Sequence, residues 1–215
     1  MVAPLALVPV VEAQSLNDMQ QAIIIFVRNP ELGKVKTRLA KGIGDEEALQ
    51  VYIRLLKKTH EAIKHIDAHK FVFYADGINQ NDLWENDLFI KAQQTGNDLG
   101  ERMYNAFTYL FSKGYGKVLI IGSDCPDLET AIIEEAFLSL SEYEVVIGPT
   151  FDGGYYLLGL KKPNSCFFEN KLWSTDSVYH DTIQNISELN LSYKALAQLA
   201  DIDTVEDWLP YKDML

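Results

Sequence analysis

KVLIIGSDCPDL, residues 117–128, is the stretch whose reading decides the fold. Val118 to Ile121 form an apolar run of strand length with no helical period, as expected of a strand buried on both faces. Pro126 cannot donate to a ladder and pushes Cys125 out of helical backbone, so the strand ends there and leaves Asp124 at its carboxyl tip. A carboxylate in that place either merely terminates the strand or holds a ligand.

Working outward, AIIIFV (22–27), FVFYA (71–75) and LFIKAQ (88–93) read as further buried strands, and a short helix is expected over 79–86. From Asp45 the period changes: Ala48, Val51, Tyr52, Leu55, Leu56, Thr59, Ala62, Ile63 and Ile66 recur at three- and four-residue steps, one face of a long helix. Helices are also expected over 98–111, 128–140 and 175–188 and from Thr204, with a strand near 192–197. VVIGP (145–149) and YYLLGL (155–160) flank Phe151-Asp152-Gly153-Gly154, a turn signal that makes the pair a hairpin. Strands alternating with helices predict a mostly parallel sheet covered by helices on both faces, with one antiparallel insertion. Ligands of such sheets sit beyond the carboxyl ends of the strands.

The 215 residues are 47% hydrophobic and 23% charged, a composition suited to a single packed domain over 21–215. A net charge of −12 disfavours nucleic acid and anionic membrane as partners. Against it, Arg28, Lys34, Lys36, Arg38 and Lys41 face only Glu31, a local excess suited to a small anionic ligand. Cys125 and Cys166 supply neither a disulfide framework nor a metal-type spacing; buried free thiols in a reducing cytoplasm are expected. No run reaches the roughly 18 apolar residues of a membrane span. Residues 1–20 resemble a signal sequence only loosely, lacking a basic start, and read as an extension ahead of a natural start at Met19.

The segments after the strands carry the chemistry. RNPELGKVKTRL (28–39) is not a Walker A loop, because Val35 follows Gly33-Lys34 where Ser or Thr is needed. It offers Arg28, Lys36, Thr37 and Arg38 to a diphosphate, the Arg fork and the Lys point charge being complementary grips, or else it is a solvated basic loop. In QTGNDLGERM (94–103), Gly96 permits close backbone approach. Asp98 with Glu101 makes a helix cap, while Arg102 is not explained by capping; nucleotide contact is the alternative. Asp124, beside these cations, could share Mg²⁺ with a diphosphate. Ser174 or Thr175 could cap a helix. Thr204 with Asp207 forms a capping box that leaves Asp203, between Ile202 and Val205, unexplained. The histidines at 60, 65, 69 and 180 are expected on the surface or at helix ends.

Taken together, RNPELGKVKTRL, QTGNDLGERM, GSDCPDL, FDGGYYLLGL, LWSTDSV and DIDTVEDW resemble the GT-A type nucleotide-diphospho-sugar transferase superfamily. More narrowly, they resemble its small bacterial subfamily of glycosyltransferases associated with radical-SAM and arsenosugar pathways. The resemblance implies a Rossmann-like α/β/α sandwich and a cytoplasmic, metal-dependent glycosyltransferase taking a nucleotide sugar and a small-molecule acceptor. It gives Lys36 and Arg38 the diphosphate role, and Asp124 and Asp203 the divalent metal, Mg²⁺ or Mn²⁺. Asp124 and Asp152 are then the catalytic candidates, Asp152 as base toward an acceptor hydroxyl. Gly153, Gly154, Trp173, Ser174 and Thr175 are expected on the acceptor side. One departure matters: GT-A glycosyltransferases show Asp-X-Asp, whereas Ser123-Asp124-Cys125-Pro126 has a single Asp, closer to nucleotidyltransferases of the superfamily. A nucleotidyltransferase releasing pyrophosphate and a non-catalytic nucleotide-sugar binding protein therefore stand as alternatives.

Overall fold

The computed structural model of the chain describes residues 21–215, and the extension expected over 1–20 lies outside them. Among the described residues seven strands form one sheet: β1 (Gln21–Val27), β2 (His69–Tyr74), β3 (Phe89–Gln93), β4 (Lys117–Ile121), β5 (Val145–Pro149), β6 (Tyr155–Leu160) and β7 (Tyr193–Ala195). Their order is β3-β2-β1-β4-β6-β5-β7. Only β6 runs against its neighbours, pairing antiparallel with β4 and β5, while the other pairs are parallel. The expected α/β class, with one antiparallel strand supplied by the 145–160 hairpin, is the observed one.

The two faces of the sheet are filled by alternate residues of the same strands, which is why the strands read as unbroken apolar runs. On one face Ile23, Ile25, Leu119 and Ile121 pack with Tyr52, Leu56 and Ile63 of α2 (Asp45–Ile63) and Ile133 and Phe137 of α4 (Thr130–Glu142). On the other, Ala22, Ile24, Val118 and Ile120 pack with Met103, Phe107 and Leu110 of α3 (Leu99–Ser112) and Ile186 of α5 (Val178–Glu188). Burial of each such side chain stabilises the fold by about 1.5–3 kcal/mol.

A third, smaller core joins the ends of the chain. Leu39 of α1 (Thr37–Ile43) and Val51 and Leu55 of α2 enclose Ile202 and Trp208, the latter on the short α6 (Val205–Trp208). This cluster fixes the C-terminal segment against the loop that follows β1.

Four expectations require correction. The helix over 79–86 does not form: Asp82 instead accepts from Tyr74 Oη (2.6 Å), Lys91 Nζ (2.8 Å) and the Trp84 amide (3.1 Å), and this polar knot around buried Trp84 holds the segment as turns. The loop after β1 does not run on to Leu39, because α1 begins at Thr37. Among the thiols Cys125 is buried but Cys166 is exposed, and among the histidines His60 is buried between Trp84 and Phe89 with Nε2 2.8 Å from Glu85. Among the described residues no helix is long and apolar enough to cross a membrane.

Candidate functional site

The strand order reverses between β1 and β4, so the chain leaves these adjacent strands in opposite lateral directions and opens a crevice at their carboxyl ends. The Gly122 amide still donates to Tyr156 O (3.0 Å), after which Ser123 and Asp124 turn out of the sheet. The question raised by the apolar run that stops at Asp124 is answered by the C-terminal segment. Beyond β7 the chain follows β5, with the Leu199 amide on Pro149 O (3.1 Å), and the Ile202 amide then reaches the Asp124 carbonyl (3.1 Å). That bond sets Asp203 beside Asp124 across 79 positions. Thr204 and Asp207 cap α6 reciprocally, as expected, leaving Asp203 free to face the crevice.

Lys36 holds the two carboxylates. Its Nζ lies 2.7 Å from Asp124 Oδ1 and 3.0 Å from Asp203 Oδ1, with its side chain only 4% exposed. Burial alone would lower its pKa, but the two carboxylates outweigh burial and hold it above the ordinary lysine value. Burial acts on Asp203 in the opposite sense and is outweighed by Lys36 and Arg38, whose guanidinium also pairs with it, so its carboxyl is held below the usual range. To reach this position Lys36 adopts left-handed backbone (φ 47°, ψ 41°) immediately before α1. Such strain in a non-glycine residue is sustained only by surrounding contacts and concentrates at functional sites.

Around this ion triad the crevice has two connected compartments. The larger, about 860 Å³, is lined by Arg28, Lys34, Lys36, Thr37, Arg38 and Arg102, with Asp98, Asp124 and Asp203 as its acids. The second, about 410 Å³, is lined by Asp152, Gly154, Trp173, Ser174 and Thr175 together with Phe26, Tyr155 and Asp176. Phe26, Arg38, Leu99, Gly122, Ser174 and Asp203 line both and form the wall between them.

The sequence candidates are thus placed as follows. Arg28 lies at the mouth with its backbone clamped by Tyr52, whose hydroxyl accepts from the Arg28 amide (2.9 Å) and donates to its carbonyl (3.1 Å). Arg102 donates through Nε to Gly96 O (3.1 Å). Gly96 has φ 140°, and a Cβ there would stand 2.8 Å from the Arg102 amide, so only glycine fits. Asp98 caps α3 by accepting from the Glu101 amide (2.8 Å), and it also lines the larger compartment. Glu101 departs from the capping-box expectation by accepting from the Asn97 amide (2.8 Å). Asp152 Oδ1 accepts from Thr150 Oγ1 (2.6 Å) and the Gly154 amide (2.9 Å), so this oxygen stabilises its own turn. Gly153 lines neither compartment; its carbonyl accepts from the Tyr179 amide (2.8 Å) and a Cβ would strike Asp176 O at 2.2 Å, which ties the hairpin turn to the 173–177 loop. Neither Ser174 nor Thr175 caps α5, which starts only at Val178, and Thr175 Oγ1 donates instead to Leu172 O (2.6 Å).

Three residues at the site were not singled out by the sequence. Tyr52 reads as one more apolar position of α2, although a tyrosine on a buried helix face needs a partner for its hydroxyl. Asp176 lies in the LWSTDSV block but is given no role there. Asp201 sits in the C-terminal acidic run, and burial, then Asp152 and Asp203, push its carboxyl up to about 7.

Among the described residues no group of three or more His, Cys, Asp and Glu side chains could hold a metal. The donor set fits only an ion that takes most of its ligands from a bound phosphate and water. Asp124 suits that role, being 43% exposed toward the larger compartment and paired through only one oxygen. Mg²⁺ binding through one or two carboxylates plus substrate phosphates is the corresponding chemistry.

Sheet order, switch-point crevice and paired compartments define a nucleotide-diphospho-sugar transferase fold. The chain shares 33% identity and a TM-score of 0.82 with a crystal structure from Desulfovibrio desulfuricans G20 provisionally described as such a transferase, over 91% of this chain and 89% of that one. Residues 58–175 match the family described as "Uncharacterized protein conserved in bacteria (DUF2064)", and the chain belongs to that family. It is also 27% identical, over 82% of its length and 76% of theirs, to the 2-phospho-L-lactate guanylyltransferase of Methanocaldococcus jannaschii. The alignment with the enzyme of the same name from Methanocaldococcus vulcanius, 25% identical, covers 66% of this chain and spans only 63% of that enzyme's length.

Proposed function

We propose that this chain is a nucleotidyltransferase that joins the nucleoside monophosphate of a triphosphate to a small phosphorylated acceptor and releases pyrophosphate. The observation that carries this reading is the shared wall, whose charged members are Arg38 and Asp203, between a basic compartment of nucleotide size and a second, smaller one. An acceptor phosphate on one side and an α-phosphate on the other would meet at Arg38. Relatives named as guanylyltransferases and the single Asp of SDCP support nucleotidyl rather than glycosyl transfer, the first expectation from sequence. The name of the Desulfovibrio structure keeps glycosyl transfer from a nucleotide sugar as the second reading. The narrower link to radical-SAM and arsenosugar pathways draws no support from these relatives.

In this reaction an oxygen of the acceptor phosphate attacks the α-phosphorus. A P–O bond forms as the α–β P–O bond breaks, and pyrophosphate leaves with the electron pair. Arg28 and Arg102 bind the triphosphate, and Arg38 neutralises charge on the transferring phosphoryl group, the kind of stabilisation that dominates such catalysis. Lys36 positions Asp124 and Asp203 and adds its charge to the compartment that takes the triphosphate. A divalent ion held by Asp124, with Asp203 nearby, would add charge neutralisation on the departing pyrophosphate. No base is needed, because a phosphate monoester, with a second pKa near 6, is already largely ionised at neutral pH; Asp152 therefore has no proton to take.

The test is product analysis with each of four nucleoside triphosphates, Mg²⁺ or Mn²⁺, and a panel of phosphorylated acceptors. The proposal predicts acceptor-dependent pyrophosphate, with Arg38→Ala lowering kcat by about 10²–10³, the usual cost of losing one such donor. Nucleoside diphosphate released from a nucleotide sugar, with no pyrophosphate from any triphosphate, would instead establish the glycosyl reading.

A further inference from the structure

The two compartments differ in charge, and that difference specifies the acceptor. In the larger, five cations (Arg28, Lys34, Lys36, Arg38, Arg102) face three carboxylates. In the smaller the balance reverses: among the described residues Arg38 is its only cation, against Asp152, Asp176 and Asp203. Arg38 is itself paired with Asp203, and it stands on the shared wall where the reacting phosphates must meet. Among the described residues no other cation lines the smaller compartment. A carboxylate brought there would meet like charge in a partly desolvated site, an arrangement that rejects the ligand.

What the compartment does offer is acceptors for hydrogen-bond donors and aromatic surface. Asp152 and Asp176 line it together with Tyr155 and Trp173, and Phe26 lines both compartments. Carboxylates and aromatic rings in one compartment suit hydroxyl groups, which donate to the former and lay C–H surface on the latter, and equally ammonium groups. We infer that the acceptor is a phosphomonoester of a polyol or amino alcohol, a molecule whose only negative charge is its phosphate, and that phosphorylated carboxylic acids are excluded. This rests on the nucleotidyl reading for which side is the acceptor's. It also separates the chain from the relatives named for 2-phospho-L-lactate, which carries a carboxylate beside its phosphate.

The test uses a pair of probes that differ at one carbon: sn-glycerol 3-phosphate, ending in CH₂OH, and 3-phosphoglycerate, ending in a carboxylate, with phosphoethanolamine as the ammonium arm. Binding is measured by calorimetric titration of the full chain, saturated with Mg²⁺ and a triphosphate whose α–β bridge cannot be cleaved. Pyrophosphate release from the ordinary triphosphate is followed in parallel. The glycerol phosphate or the ammonium arm should bind at least tenfold more tightly than 3-phosphoglycerate, and the preference should narrow or invert in Asp176→Arg. Equal or tighter binding of 3-phosphoglycerate by the wild type, or binding of none of the three, overturns the inference. Preference for the uncharged or ammonium body without pyrophosphate from any triphosphate upholds the charge selection of the compartment and sinks the nucleotidyl reading alone.

Discussion

Lys36 carries more of the site than any other single residue, and it does so from beneath it. Its ammonium pairs with both Asp124 and Asp203, and the strained backbone that delivers it is tolerated because both ion pairs hold it. Replacing it by Met would leave two carboxylates confronting each other with one partner removed. Breaking a buried pair in that way costs about 3–5 kcal/mol, and the partial exposure of both carboxylates argues for the lower end. For a chain of this size about 3 kcal/mol corresponds to a fall of roughly 6–12 °C in Tm, read directly by thermal denaturation. Turnover should be lost as well, since Asp124 and Asp203 would separate. Asp152 provides the opposite case. Its Oδ1 is spent on Thr150 and Gly154, and a phosphate acceptor needs no base, so Asp152→Asn should keep kcat within about threefold, whereas loss of a working general base costs about 10²–10⁴. A flat pH profile for the variant relative to wild type would confirm it.

At the scale of elements, the site depends on how closely α1 packs on α6. A Cβ on Gly42 would stand 2.2 Å from Val205 Cγ2, so glycine is what lets the helix bearing Arg38 approach the helix that follows Asp203. In an open helix Gly→Ala would stabilise by about 1 kcal/mol. Here overpacking should reverse the sign, with Gly42→Ala destabilising by about 1–3 kcal/mol and lowering kcat/KM through displaced Arg38. Adding Val205→Ala should restore part of both, and a double-mutant cycle in urea measures the coupling. The sequence made the large elements legible and these contacts not. Ile23, Ile25, Leu119 and Ile121 alternate with equally apolar neighbours because helices cover both faces of the sheet, and so the strands could be read directly. In contrast α1 is seven residues long with only Leu39 buried, too short for any periodic signal, and it starts from a left-handed lysine that no propensity anticipates. The 79–86 segment failed as a helix because Asp82 collects three donors from as far away as Lys91.

For the whole molecule, topology explains why distant motifs work together. Reversal of strand order between β1 and β4 opens the crevice, the 145–160 hairpin gives its far wall, and the return of the chain along β5 brings Asp203 to Asp124. The strand-end motifs could be listed from sequence because ligands of parallel sheets meet strand ends. Their division into a basic compartment and an acidic one could not, since it arises only when Asp152, Asp176 and Asp203 from three separate loops converge. Trp208, 2% exposed in the third core, holds the last of these loops in place. Trp208→Ala should therefore cost about 3–5 kcal/mol of stability and, in the fraction that remains folded, weaken nucleotide binding by loosening Asp203.

The most direct measurement is ³¹P NMR of the chain turning over a nucleoside triphosphate and a phosphomonoester together with Mg²⁺, with a nucleotide sugar offered in the same tube. Nucleotidyl transfer predicts free pyrophosphate and a new pair of coupled resonances from a P–O–P link between the nucleoside monophosphate and the acceptor phosphate, while the nucleotide sugar persists. Disappearance of the nucleotide sugar with appearance of nucleoside diphosphate, the triphosphate being untouched, would contradict the account.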